Sequence, residues 1–180
     1  MRIPTRGAMM STDERVDVVD EQDRIVRQAT RVEMRAGRLR HRCVFVLLFN
    51  SRSQLFVHQR TPTKDIYAGY YDVAFGGVVA AGEDYDQAAR RELAEEAGVD
   101  APLRRIFGFQ FDDSGSHLNG VVYTATHDGP LRLQASEVTS GRWLDLDAVI
   151  ELTQRESFCP DGIEALRLYL DRLNRAREAR

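Results

Sequence analysis

The chain has 180 residues, with 28 Asp and Glu against 25 Lys and Arg for a net charge of −3, and 43% of its residues are apolar. That length suffices for one domain with a proper core, and the charge balance excludes the global basic field that draws proteins onto nucleic-acid polymers or anionic membranes. A polyanionic substrate must then be met locally, by a few arginines or by bound cations. Cys43 and Cys159 are single and far apart, which fits neither a disulfide framework nor a CxxC metal knuckle, and both are expected to be reduced. No apolar run approaches the ~20 residues of a bilayer span, and "MRIPTRGAMMSTDER" lacks the apolar segment of a signal peptide. The expectation is a soluble, cytoplasmic protein.

In chain order, residues 1–14 are polar and read as a disordered tail, followed by one domain over 15–180. "VDVVDEQDRIVRQAT" predicts a hairpin around "DEQD", and "RCVFVLLFNSRSQLFVHQR" a second one with a buried first strand. After a loop at "TPTKDIYAGYYD" come the short apolar segment "VAFGGVV" and a charged helix. "LRRIFGFQFDD", "HLNGVVYTATHD" and "SEVTSGRWLDLD" read as further strands. Ile163, Leu166, Leu170 and Leu173 recur at three and four, predicting an amphipathic helix over about 161–177. Strands outnumber helices, and the fold class is α+β, a mixed sheet flanked by helices. A homodimer through an exposed apolar edge or the N-terminal hairpin is left open.

The charged helix poses the chemical question. From Glu83 to Val99 the chain carries six carboxylates and the adjacent Arg90 and Arg91. Glu92, Glu95 and Glu96 fall at i, i+3 and i+4, on one helical face, while Tyr85, Ala88, Ala89, Leu93 and Ala97 form an apolar stripe of mostly small residues. Carboxylates crowded in this way repel, which raises pKa values or recruits a cation. All candidate ligands are oxygen, which favours Mg²⁺, with Mn²⁺ as a substitute, over Zn²⁺. A solvated helix face is the other reading of such a run. The wider pattern weighs against it: Gly77, Glu83, Arg91, Glu92, Leu93, Glu95, Glu96, Gly98 and Val99 match G-x5-E-x7-R-E-U-x-E-E-x-G-U, where U is aliphatic. A chance match in a chain of this length is about one in ten million.

On those residues the sequence resembles the Nudix hydrolase superfamily. The resemblance implies an α/β/α sandwich carrying a loop-helix-loop, and hydrolysis of a diphosphate bond in a small molecule built on a nucleoside diphosphate or similar group. It implies Glu92, Glu95 and Glu96 as metal ligands, Glu92 also as a base for the attacking water, Arg91 as its orienter, and Glu95 among the catalytic groups. Glu83 would brace the loop or reach metal through water, and a backbone carbonyl of Gly76 or Gly77 would complete the ligand set. Glu137 is a candidate extra carboxylate from outside the motif, with an exposed turn residue as the alternative. Arg60 and Lys64 are candidate phosphate contacts, with solvated surface charge equally open.

The segments "VDVVDEQDRIVRQATR", "RHRCVFVLLFN" and "QRTPTKDIYAGYYDVAFGGVV" look like the branch that includes isopentenyl diphosphate isomerase. That enzyme's catalytic cysteine and motif histidine fall at positions holding Gly76 and Val78 here, although His41 matches one of its metal-binding histidines. An isomerase-like activity and a non-catalytic nucleotide-binding module are the alternatives to diphosphate hydrolysis. Markers of the coenzyme A, ADP-ribose and dinucleoside polyphosphate subgroups are not found.

Overall fold

The computed structural model describes residues 14–179; the tail expected over residues 1–14 lies, Glu14 apart, outside them. The elements are β1 (Arg15–Val19), β2 (Ile25–Thr30), α1 (Arg31–Ala36), β3 (His41–Phe49), β4 (Leu55–Arg60), β5 (Tyr71–Asp72), α2 (Tyr85–Ala97), β6 (Arg104–Asp112), β7 (His117–Thr126), β8 (Val138–Leu144), α3 (Leu146–Thr153) and α4 (Pro160–Glu178). They form the expected α+β arrangement, a mixed sheet with helices on both faces.

β3 organises the molecule because it is buried on both sides. Val44, Val46 and Leu48 face α2 and pack with Ala88, Ala89 and Leu93. Cys43, Phe45 and Leu47 face the other way, into a cluster with Val149 of α3 and Ala165 and Leu166 of α4. A near-continuous apolar run is what a strand covered on both faces requires. β7 lies parallel to β3 from His41↔Leu118 to Phe49↔Thr126, while the other named strand pairings are antiparallel.

The second expected hairpin is corrected. β3 and β4 meet only at Phe49↔Leu55 and then diverge, and β4 pairs along its length with β8. The vacated edge of β3 is taken by the segment leading into α2: Val46 N–H donates to Phe75 O at 2.7 Å, Val44 N–H to Gly77 O at 3.0 Å, and Val79 N–H to Arg42 O at 2.9 Å. Backbone groups at a buried edge must be satisfied, and here the motif loop satisfies them.

The N-terminal hairpin forms as expected, with Arg15 opposite Thr30, and its outer strand β2 exposes Ile25 and Val26. α2 begins at a capping box made by Asp84 and Gln87 and ends at Gly98, whose φ of 67° suits a residue without a Cβ. α4 extends one residue beyond the predicted helix at each end, with Pro160 in its first turn. α1 and α3 were not anticipated.

Candidate active site

The small residues of α2 set its depth. Ala88, Ala89, Leu93 and Ala97 are at most 1% exposed, so the helix lies close to the sheet and carries the glutamates of its flank inward. The three glutamates are not equivalent. Glu96 is 5% exposed and the Glu92 side chain 13%, whereas that of Glu95 is 56% exposed. Residues 92 and 96 are one turn apart on the buried flank, and residue 95 is rotated towards solvent.

Gly76 and Gly77 form the wall facing these carboxylates. Gly76 N–H donates to Glu96 Oε2 at 3.2 Å. A Cβ on Gly77 would stand 2.7 Å from Glu92 Oε1, so only glycine lets backbone and carboxylate approach so closely. Gly77 O already accepts from Val44 N–H.

Arg91 knits the cluster together. Its Nε and Nη2 donate to the two oxygens of Glu83, each at 2.9 Å, and its Nη1 reaches Glu92 Oε1 at 2.7 Å and Glu95 Oε2 at 3.4 Å. Glu83 also accepts from Ala80 N–H at 3.1 Å, tying the loop to the helix. Burial would raise the Glu83 carboxyl, but the Arg91 and Ala80 hydrogen bonds outweigh it and hold the group below its usual range. Burial pushes Glu92 up against the opposing pull of Arg91. Glu96 is pushed up as well, by burial and then by the charge of Glu92. Lys64 opposes the shift at both glutamates.

Lys64 and Glu137, both called from sequence, form an ion pair with each other. The charge of Glu137 is felt at Glu96. Arg60 faces elsewhere: its Nη1 is 3.8 Å from Asp72 Oδ2 and its Nη2 donates to Ile66 O at 3.2 Å. His41 is buried, with Nδ1 2.9 Å from Leu39 O.

Whether this donor set suits a divalent cation can be tested on its geometry. Glu92 and Glu96 are buried oxygen donors whose pKa values are raised first by burial, and a cation beside them would favour their charged forms. Among the described residues no three His, Cys, Asp or Glu side chains are grouped so that they could hold an ion, and Arg91 sits among Glu83, Glu92 and Glu95. Two of the called ligands therefore fit, and a fuller shell requires Arg91 to yield part of its contacts.

Behind the glycine pair, on the α4 side of the sheet, is a cavity of about 60 Å³ lined by Gly76, Gly77, Arg31, Arg60, Ser116 and Asp161 among others. Arg31, Ser116 and Asp161 escaped the sequence reading. They come from three distant segments, and the only local signal was Thr30-x-x-Glu33, a capping pattern for α1, in which Thr30 accepts from Glu33 N–H at 3.1 Å.

The model of the NUDIX domain matches residues 39–167, a span that includes the whole loop, α2 and the start of α4. The chain belongs to the Nudix hydrolase family. It is 47% identical over 154 residues to an uncharacterized Nudix hydrolase of Pseudomonas aeruginosa, covering 85% of this chain and 91% of that one. A Streptomyces coelicolor relative, also an uncharacterized Nudix hydrolase, is 43% identical over 163 residues, covering 88% and 90%. Among solved structures, a Deinococcus radiodurans protein superposes with a TM-score of 0.76 at 29% identity, covering 87% of this chain and 99% of the other. As a Nudix enzyme the chain carries out hydrolysis, and no helix among the described residues is long and apolar enough to cross a membrane.

Proposed function

We propose that this Nudix enzyme is a Mg²⁺-dependent diphosphatase of a small molecule, with Mn²⁺ as a substitute ion. The observation that carries the reading is the buried pair Glu92 and Glu96 set against the Gly76–Gly77 wall. Glu92 and Glu96 would hold the ion, which when bound polarises phosphoryl oxygens and acidifies water. Arg91, anchored by both oxygens of Glu83, positions the Glu92 carboxylate, and Glu92 accepts the proton of the attacking water. Glu95, at the solvent edge, is the outer member of the set. Lys64 and Glu137 lie on the approach, where a phosphate would compete with Glu137 for the ammonium.

The isomerase alternative needs a proton-exchanging group at position 76 or 78, and glycine and valine supply none. A non-catalytic module would have no use for two buried, mutually repelling carboxylates. The test is phosphate-coupled turnover on nucleoside diphosphates and triphosphates, nucleotide sugars, dinucleotides and isopentenyl diphosphate with Mg²⁺ or Mn²⁺, in wild type and Glu96→Gln. Metal-dependent cleavage that the variant loses by orders of magnitude is expected. Undiminished activity in the variant with unchanged metal dependence would remove the site assignment.

A further inference from the structure

We propose that the outer edge of β6 is the interface of a homodimer, in which two copies of the strand pair antiparallel about a twofold axis at Phe109. The inference is independent of the reaction assigned to the glutamates.

β6 closes the sheet on its side. Among the described residues it pairs with β7 alone, and no other backbone hydrogen bond reaches residues 104–112. Exposed edges are usually short, interrupted by proline or otherwise blunted, because their free N–H and C=O groups are a template for another strand. β6 runs for nine residues without a proline. Its one irregularity is a bulge near the start, where Ile106 is left out of the pairing between Arg105 and Phe107.

That bulge decides which side chains share a face. Directly opposed residues of an antiparallel pair point to the same side of a sheet. Arg105, Gly108, Gln110 and Asp112 oppose Tyr123, Val121, Asn119 and His117, and so lie on the α2 face, where Tyr123 and Val121 are buried. Arg104, Phe107, Phe109 and Phe111 oppose Thr124, Val122, Gly120 and Leu118, on the α4 face, where Val122 and Leu118 are buried.

A second copy has to match these faces residue by residue. With the axis at Phe109, Gly108 of one copy falls opposite Gln110 of the other, Phe107 opposite Phe111, Arg105 opposite Asp112, and Arg104 opposite Asp113. Opposite charges then meet at both ends of the paired strands and aromatic rings meet between them, and both kinds of cross-strand pair are stabilising. A step in either direction loses this. An axis at Gly108 sets Arg104 against Phe111 and Arg105 against Gln110, and an axis at Gln110 sets Phe107 against Asp113.

The charged groups are available for such pairing. The side chains of Arg105 and Asp112 are 55% and 62% exposed. Arg105 has only a loose contact with Asp86, at 3.8 Å, and Asp112 is engaged by Arg38 through one oxygen. Asp113 is held in place by Gly115 N–H, Ser116 N–H and the Tyr67 hydroxyl, all of which donate to it. The opposite edge of the sheet is less suited to a second copy. β2 exposes Ile25 and Val26, but its single charged residue, Arg27, is paired with Glu33 and donates to Gln28 O within the strand.

The test is sedimentation velocity over a concentration series, with thermal melting on the same samples to establish folding. Wild type is expected to show a reversible monomer–dimer equilibrium. Arg105→Asp and Asp112→Arg should each weaken it at least about tenfold, because each sets like charges opposite one another at both ends of the interface. In an equimolar mixture of the two variants every such pair again joins an acid to a base, so a heterodimer of near wild-type affinity is expected. A wild type that stays monomeric up to about 100 μM, or a dimer that both variants retain, would overturn the interface; variants that remain monomeric when mixed would overturn the register. Cysteine pairing carries the test if a charge reversal does not fold. Gly108 and Gln110 are exposed, a Cβ on Gly108 meets only Gly120 O at 3.6 Å, and both native cysteines are buried. Opposed residues stand about 5 Å apart at Cα, within reach of a disulfide. Gly108→Cys mixed with Gln110→Cys under oxidation should therefore cross-link more than either variant alone, and no excess over the single variants would overturn the pairing.

Discussion

Replacing Gly77 by alanine is a steric probe of the proposed catalytic geometry that leaves every charge in place. The added Cβ would lie 2.7 Å from Glu92 Oε1, 3.0 Å from its Cδ and 3.2 Å from Oε2, whereas ordinary contact begins at 3.4 Å. The carboxylate must therefore retreat by about 0.7 Å, taking with it the oxygen that accepts from Arg91 Nη1 at 2.7 Å. A misplacement of about 1 Å in a reacting constellation can cost 10²-fold, so turnover should fall roughly ten- to a hundredfold. Stability should change by no more than about 1 kcal/mol, because the group that yields is the far end of a flexible side chain. Gly76→Ala is the contrast: its Cβ would stand 1.9 Å from the backbone oxygen of Val44, which cannot move without breaking the edge of β3, and a loss of about 3 kcal/mol or more is expected. Phosphate release with Mg²⁺ and thermal melting measured on the same preparations separate the two effects. A Gly77→Ala enzyme with wild-type turnover would mean that the position of Glu92 is not critical, and one that melts like Gly76→Ala would mean that the wall is not soft on that side.

Arg91→Lys keeps the charge but cannot span Glu83 and Glu92 at once, because an ammonium lacks the guanidinium fork; kcat should fall at least about tenfold with KM little changed, and an unaltered kcat would deny Arg91 its positioning role. His58→Phe tests a buried imidazole. His58 is 2% exposed and stacks on Phe75 with centroids 4.6 Å apart, and burial lowers its pKa from 6.5 to about 4. The unfolded chain protonates below pH 6.5 while the native imidazole stays neutral, so the stability it contributes is fully present above 6.5 and is lost as the pH falls towards 4. Between pH 7.5 and 5.5 the variant should therefore gain about 1 kcal/mol relative to wild type in denaturant titrations, and a difference independent of pH would contradict the neutral buried form. Leu93→Ala empties the contact between α2 and β3; a loss of about 3 kcal/mol, roughly 6–12 °C in melting temperature, is expected, and a shift within 2 °C would show that the helix is held by its caps and charges instead.

What could be read from the sequence divides along a physical line. α2, its caps and its partition into an apolar stripe and a charged flank follow from local periodicity and capping chemistry, and the spacing from Gly77 to Val99 is contiguous because one loop and one helix must hold their groups at fixed separations. The same spacing could not say that Glu96 is buried while Glu95 is open, since that depends on how α2 is rolled against β3, and the small residues of its stripe permit more than one roll. The splayed β3–β4 pair was illegible for a related reason: a turn at Asn50–Gln54 is a local fact, but the competition between β4 and the 75–79 segment for the edge of β3 is settled by pairings that span the chain. The cavity lies furthest from the sequence. Arg31, Ser116 and Asp161 are ordinary surface residue types with no shared period, each bland in its own segment, and only Arg60 and Lys64 of the charged lining stood out in the sequence. A wall assembled from several elements can vary one residue at a time without disturbing a helix or a turn, so its make-up leaves no spaced pattern along the chain of the kind that the motif leaves.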